Sequence, residues 1–139
     1  MRALHLTDAV TTCDCCGKSD LKRTVAMLTD AGDLVHYGTV CASRNSGKAP
    51  AVINREVREE HERRVAAARD EWARHPANRA ERDRFAERDR LPTRLPGVQA
   101  AAFVFEAGKA ADAACRAICE RHGIWPAYWD VRNAWPLPL

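Results

Sequence analysis

The stretch TTCDCCGKSDLKRTV, residues 11–25, places three cysteines within four positions. Cys13 and Cys16 form a C-x-x-C pair, and Gly17 follows directly. In a metal knuckle two thiolates converge on one ion, and a glycine lets the chain turn so that backbone amides face the sulfurs. The pattern therefore predicts a metal-binding turn, and this turn decides the fold of the N-terminal part of the chain.

A tetrahedral metal site needs two ligands beyond this cysteine pair. Turn residues at 30–33 predict a β-hairpin that returns Cys41 to the knuckle as the third ligand. We assign His36 as the fourth, giving C-x2-C-x19-H-x4-C and a Zn²⁺ ion, with Cys15 as its rival. More distant candidate ligands are His5, Cys115, Cys119 and His122.

Two other interpretations of the cysteines are less favoured. Buried thiols often serve as small apolar side chains, but three in four positions before a glycine disfavour that role for the first cluster. A redox pair needs C-x-x-C at the start of a helix after a strand, whereas a glycine and a hairpin follow here. For Cys115, Cys119 and His122, on one face of an alanine-rich helix, a place in the core is favoured over metal binding.

The remaining sequence predicts a mostly helical α+β chain. A zinc-knuckle and hairpin module occupies residues 1–48, and a helical region occupies residues 49–139. Apolar residues spaced by three or four predict an amphipathic helix with a strongly charged opposite face. The predicted elements of this region are the long charged helix at 51–75, a second charged helix at 79–90, an alanine-rich helix at 98–122 and an aromatic tail at 123–139.

Composition narrows the class of protein. The formal net charge is +3, from 22 basic and 19 acidic residues, which disfavours an extended nucleic-acid surface. The first ten residues lack the apolar run of a signal peptide, and no stretch is long and apolar enough to span a membrane. We therefore expect a cytoplasmic protein, in which thiols stay reduced and cysteine clusters indicate metal binding.

The segments CDCCGK at 13–18, LKRTV at 21–25 and YGTVCA at 37–42 carry a resemblance. Together they resemble small zinc-knuckle and treble-clef proteins of actinobacteria and their phages, over about the first third of the chain. The resemblance implies a metal-stapled ββα module and no particular activity. A treble clef places its fourth ligand one turn after the third, where this chain has Arg44.

These features favour a zinc-stabilised binding module without enzymatic activity, such as an accessory or regulatory protein of a phage or an actinobacterium. A protein partner is favoured over nucleic acid, and self-association through the helices is an alternative. Aromatic residues suit an interface, although a tail that folds back onto the alanine-rich core is the favoured role for them. The candidate partner-binding residues are Lys22, Arg23, Tyr128, Trp129 and Trp135.

Two further functions remain as alternatives. The first is nucleic-acid binding through a local basic patch. That patch would consist of Lys18, Lys22, Arg23, Arg44 and Lys48. The second is a metal-dependent nuclease with His36 as general base and Asp33 as its only close carboxylate. Such a nuclease needs an open coordination position on the metal.

Overall fold

The structure, a computed structural model, describes residues 1–135 and shows a mostly helical α+β chain. The chain divides into two compact units, Met1–Arg63 and Arg64–Leu139. The predicted fold class and the predicted order of hairpin, charged helix, alanine-rich helix and aromatic segment are confirmed. Residues 136–139 of the predicted aromatic tail lie outside the described residues.

The N-terminal unit is built around a three-stranded antiparallel sheet in the order β1-β2-β3. The predicted hairpin is present as β2 and β3, whereas β1 is not predicted from the sequence. A register shift between Ala3 and His5 interrupts the alternation that would have revealed β1. The elements of this unit are β1 (Arg2–Thr7), β2 (Thr24–Leu28), β3 (Leu34–Tyr37), α1 (Thr39–Ser46) and the first part of α2 (Pro50–Arg74).

The core of the N-terminal unit is small. Four consecutive residues of the central strand β2 are buried, from position 24 to position 27. Gly47, at φ +67°, ends α1 in the left-handed conformation that glycine adopts without strain. The fully buried apolar cluster contains Ala3, Val25, Met27, Ala42 and Ile53.

The C-terminal unit is helical and has the larger core. Pro76 ends α2 and also begins the next helix, because proline is tolerated in the first helical turn and His75 Nδ1 accepts the Ala77 N–H as a cap. The second charged helix thus starts at residue 76, three residues before its predicted start at residue 79. The elements that follow α2 are α3 (Pro76–Asp89), α4 (Gly97–His122), a 3-10 turn (Trp125–Ala127) and α5 (Tyr128–Arg132).

The end of α4 turns the chain back onto the core. Gly123, at φ +64°, donates its N–H to the Glu120 carbonyl, and the Ile124 N–H bonds to the Cys119 carbonyl at 3.0 Å. This is the Schellman pattern, and Ile124 behind it is fully buried, as the hydrophobic residue of this pattern often is. The segment after it packs Tyr128 and Val131 into the core, so the tail folds back.

The apolar face of α2 changes along its length. Ile53 belongs to the core of the N-terminal unit, whereas Ala68 and Trp72 belong to the core of the C-terminal unit. His61, between them, is exposed and is not part of either core. Among residues 1–135, no helix has the length and apolar character needed to cross a membrane.

Candidate metal centre

Three thiols converge in the N-terminal unit. The Sγ atoms of Cys13, Cys16 and Cys41 all lie within 4.8 Å of one another. Four thiolates around a tetrahedral ion with bonds of about 2.3 Å lie about 3.8 Å apart, so a small contraction closes this group onto a metal. Cys13 is buried, Cys41 is half-buried and Cys16 is exposed. The group can hold a metal ion at the surface of the unit.

The knuckle loop forms because its backbone turns back on itself. The Gly17 N–H donates to the Cys13 carbonyl at 2.9 Å, and the Cys13 N–H donates to the Lys18 carbonyl at 2.9 Å. Gly17 has φ +71°, a conformation that a residue with a side chain adopts only with strain. This turn brings the side chains of Cys13 and Cys16 to one side, which is what the C-x-x-C-G pattern predicts.

Strand β3 and helix α1 carry the third thiol to the loop. The Asp14 N–H donates to the His36 carbonyl at 2.8 Å, and the His36 N–H donates to Asp14 Oδ2 at 2.6 Å. These two bonds fasten the knuckle loop to the end of β3. Gly38 follows, and α1 begins at Thr39, so Cys41 lies in the first turn of a helix that starts beside the knuckle.

Hydrogen bonds give the Cys13 and Cys41 thiols different pKa values. Burial raises the pKa of Cys13, but hydrogen bonds from the backbone N–H groups of Gly38, Cys16 and Cys15 outweigh it and lower the pKa to about 7. Hydrogen bonds with the thiols of Cys16 and Cys13 raise the pKa of Cys41 to about 12. Several thiolates this close together repel one another, so a cation is needed before all of them ionise.

His36 and Cys15, the two candidates for the fourth ligand, lie outside this group of three. The His36 ring Nδ1 is 3.8 Å from Asp14 Oδ2, and the Cys15 sulfur accepts a hydrogen bond from Asn45 Nδ2 at 3.3 Å. Neither contact is predicted from the sequence, since 22 and 30 residues separate the partners. The carboxylate beside His36 is thus Asp14, and not Asp33 as the nuclease alternative expects.

The distal candidate ligands have other roles. Cys115 and Cys119 are fully buried in the core of the C-terminal unit, as the favoured interpretation holds. Burial raises the pKa of Cys115 to about 12, so it stays a neutral thiol. His122 Nε2 lies 2.9 Å from Glu71 Oε2. His5 is on β1, paired with Ala26 of β2.

The aromatic partner-binding candidates separate into one buried and two exposed residues. Tyr128 is buried in the core, and its hydroxyl donates to the Asp112 carboxylate. Trp129 is 69% exposed and Trp135 is 73% exposed. The structure adds Trp125, which is 49% exposed and is not among the predicted partner-binding residues. We call Trp125, Trp129 and Trp135 the exposed tryptophans.

The basic residues predicted to bind a partner or nucleic acid also differ in their surroundings. Lys22 and Arg23 are exposed and line a shallow depression of about 330 Å³ with Leu6, Thr7 and Asp8 of the first strand and the loop after it. Lys48 is instead bound within the unit, because its Nζ donates to Glu56 Oε1 at 2.6 Å and to the Met1 carbonyl at 2.8 Å. The predicted basic patch therefore loses one of its five cations to an internal ion pair.

Comparison of the chain with models of known protein families, with curated proteins and with solved structures found no match.

Proposed function

We propose that the protein is a zinc-stabilised binding module, without enzymatic activity, that engages a protein partner. The convergence of Cys13, Cys16 and Cys41 supports this proposal most directly. Thiolates select zinc, copper(I) or iron–sulfur clusters. Zinc fits best here, because a tetrahedral thiolate site is its usual structural coordination and the knuckle supplies backbone N–H groups to the Cys13 sulfur.

A metal would stabilise the folded N-terminal unit. Its buried apolar cluster contains only five residues, and two of them are alanines. Units of this size are marginally stable on apolar burial alone, and natural examples often add a metal or disulfides. The zinc ion would fix the knuckle loop to the start of α1 and so hold the sheet and the helix together.

The exposed tryptophans support a protein partner. Tryptophan is enriched among the residues that dominate binding energy at protein interfaces. Arg116 lies over the Trp125 ring, with its Cζ 5.5 Å from the ring centroid, so a cation lies beside this exposed tryptophan. Nucleic acid fits less well, because the net charge is only +3 and Lys48 is committed to Glu56.

The metal part of the proposal is tested by elemental analysis of the full chain purified under reducing conditions. We expect one zinc per chain in the wild type and its loss in Cys13→Ser and Cys41→Ser. Cys115→Ala is the matched control, since it removes a cysteine from the other unit and should keep the zinc. A wild type without metal, or variants that retain it, would contradict the proposal.

The partner part is tested by placing a photo-crosslinking amino acid at Trp129 in cells of the native host. Val98, which is 86% exposed, provides the control position. We expect a protein adduct from position 129 only, and Trp125→Ala should weaken it. Mass spectrometry identifies the protein in the adduct, and the adduct should form again from the purified components. An adduct with a second copy of the chain would support the self-association alternative, and equal adducts from both positions would contradict a specific surface.

A second candidate function is nucleic-acid binding, because Lys22 and Arg23 are exposed beside the knuckle. In that case affinity for labelled DNA or RNA should fall steeply with salt, and replacing both residues with alanine should reduce the slope of log K against log salt by about 2. Failure to bind either nucleic acid at low salt would remove this candidate.

A further inference from the structure

The three thiols of the candidate metal centre differ in exposure, since Cys16 is exposed whereas Cys13 is buried. We propose that hydrogen peroxide, or another two-electron oxidant, joins Cys13 and Cys16 in a disulfide, and that this reaction releases the metal from the N-terminal unit. The inference rests on the proposed function, in which this unit binds zinc, and it gives that site a regulation. The site then responds to oxidants as well as stabilising the fold.

The first support is the proximity of the two sulfurs. The Sγ atoms of Cys13 and Cys16 lie within 4.8 Å of each other. Both residues belong to one tight turn, which the Gly17 N–H closes by donating to the Cys13 carbonyl at 2.9 Å. Residues three apart in such a turn have Cα atoms within about 7 Å, close to the separation of about 4.4–6.8 Å that a disulfide needs. The backbone turn therefore holds the pair together without any contribution from Cys41.

The second support is access to solvent. Oxidation of cysteine follows exposure and thiolate character, and a cysteine that binds a metal is a thiolate. Cys16 is the exposed member of the three, Cys41 is half-buried and Cys13 is buried. Peroxide therefore reaches the Cys16 sulfur first, and the Cys13 sulfur, held in the same turn, completes the disulfide. A single disulfide of this kind needs proximity of the sulfurs and, unlike a catalytic redox pair, no helix N-terminus.

The reaction takes two steps. The Cys16 thiolate attacks one oxygen of hydrogen peroxide, the O–O bond breaks and hydroxide leaves, so that Cys16 becomes a sulfenic acid. The Cys13 thiolate then attacks the Cys16 sulfur, the S–O bond breaks and a second hydroxide leaves as the S–S bond forms. The two thiolates together lose two electrons, and the peroxide accepts them. Two metal–sulfur bonds are lost, because the thiolate is the form of cysteine that binds a metal.

The disulfide would separate the knuckle loop from α1. It uses both sulfurs of the loop pair and leaves Cys41, which α1 carries, as a single ligand of the group. The hydrogen bonds between Asp14 and His36 still connect the loop to β3. The sheet and α1 then depend on the small buried cluster around Val25 and Met27. Because a core of this size gives marginal stability, we expect the N-terminal unit to unfold when the metal leaves.

The other cysteines do not offer an equal reaction. Cys115 and Cys119 are fully buried in the core of the C-terminal unit, out of reach of peroxide. Cys15 is exposed, but its sulfur is not part of the group of three. A disulfide between Cys15 and Cys16 would join adjacent residues, whose Cα atoms lie about 3.8 Å apart across a trans peptide, closer than the usual disulfide range. Oxidation should therefore select the Cys13–Cys16 pair.

The test adds hydrogen peroxide in steps to the zinc-loaded full chain, and a chromogenic zinc indicator measures the metal released. Cleavage before aspartate, without reduction, gives the separate pieces 8–13 and 14–19, which only a disulfide of Cys13 keeps linked. We expect one zinc released for each such link, and zinc bound again after a thiol reductant and Zn²⁺ are added. Cys15→Ser and Cys119→Ala are the matched controls, and both should release zinc as the wild type does.

The outcomes separate this inference from the proposed function. Zinc that stays bound through a large excess of peroxide would overturn the inference and leave the zinc module intact. Release that disappears in Cys15→Ser, or a link from piece 14–19 to the piece that carries Cys41, would overturn the pairing of Cys13 with Cys16. A purified wild type that bound no zinc would contradict the proposed function before any oxidant was added.

Discussion

In the N-terminal unit the cysteines lie in and beside an exposed turn, whereas in the C-terminal unit they lie inside a helix that faces a core. Cys13, Cys16 and Cys41 come together around a tight glycine turn, with backbone N–H groups directed at the Cys13 sulfur. Cys115 and Cys119 are fully buried among apolar side chains. The same side chain can thus serve as a metal ligand where polar donors surround it, and it is a small apolar group where they do not.

The two units also differ in how much apolar surface they bury. The buried cluster of the C-terminal unit includes Trp72, Ile118 and Tyr128. Within residues 1–135 this cluster has ten members, against five in the N-terminal unit. Because the hydrophobic contribution grows with buried apolar area, the C-terminal unit can be stable without a metal. The N-terminal unit has a smaller buried cluster, and under the proposed function a metal held by its thiol group adds stability. This difference predicts different sensitivities to the same kinds of change.

The largest expected effect follows from replacing a cysteine of the proposed metal site in the N-terminal unit. Cys41→Ser should unfold the sheet, because metal binding in small zinc modules supplies on the order of 10 kcal/mol of folding free energy. Amide hydrogen exchange should become fast in β2 and β3 and stay slow in α4. Slow exchange throughout the sheet of this variant would show that the unit is stable without its metal.

The matching change in the C-terminal unit is Trp72→Ala. Trp72 is fully buried and donates its indole N–H to the Arg132 carbonyl at 3.1 Å, so its removal creates a cavity and leaves an acceptor without its partner. Urea unfolding of the C-terminal unit should show a loss of about 3–5 kcal/mol, with zinc content unchanged. Trp129→Ala, at an exposed position, should change stability by less than about 0.5 kcal/mol. Equal losses in the two variants would refute the described core.

A smaller effect is expected at the turn that ends α4. Gly123→Ala places a side chain at φ +64°, which costs about 1–2 kcal/mol of folding free energy. A Cβ at this position meets only Arg64 Nη1 at 3.7 Å, so the cost comes from the backbone. Gly97→Ala is the control, because a Cβ there has open space and no positive φ. Thermal unfolding should separate the two, and a neutral Gly123→Ala would contradict the left-handed cap.

The smallest expected effect is a loss of stability of the C-terminal unit at low pH. A hydrogen bond from the Tyr128 hydroxyl, and another from Arg116, lower the pKa of Asp112 below its usual 3.8. Because the folded pKa is lowered, the stabilisation is complete above about pH 4 and is lost as the pH falls through the lowered value. Asp112 is partly exposed, so the loss should stay below about 1 kcal/mol. Asp112→Asn should make the free energy of unfolding depend less on pH between pH 2 and 5. An unchanged pH dependence would contradict the hydrogen bonds of Asp112 with Tyr128 and Arg116.

The sequence predicts the parts of this structure that depend on local pattern. The C-x-x-C-G spacing and the turn before β3 suffice to bring Cys41 to the knuckle, and three-four periodicity suffices for α2 and α4. Strand β1 escapes prediction because a register shift at Ala3 breaks its alternation. Helix α3 starts early because Pro76 acts as a first-turn residue as well as a helix breaker.

The contacts that complete the candidate site depend on tertiary structure. Asn45 reaches the Cys15 sulfur only because α1 lies against the knuckle loop, and no local pattern in the sequence encodes that contact. Similarly, Tyr128 and Trp129 are adjacent aromatic residues, yet one is buried and the other is exposed. The phase of the short helix α5 decides which of the two faces the core.

The central claim is that a metal held by the thiol group maintains the N-terminal unit, and amide NMR of the full chain during a chelator and zinc titration tests it most directly. On removal of the metal we predict that the amide signals of β2 and β3 collapse to unfolded positions while those of α4 stay in place. One equivalent of Zn²⁺ should restore them. Signals of the sheet that remain unchanged through both steps would contradict the account.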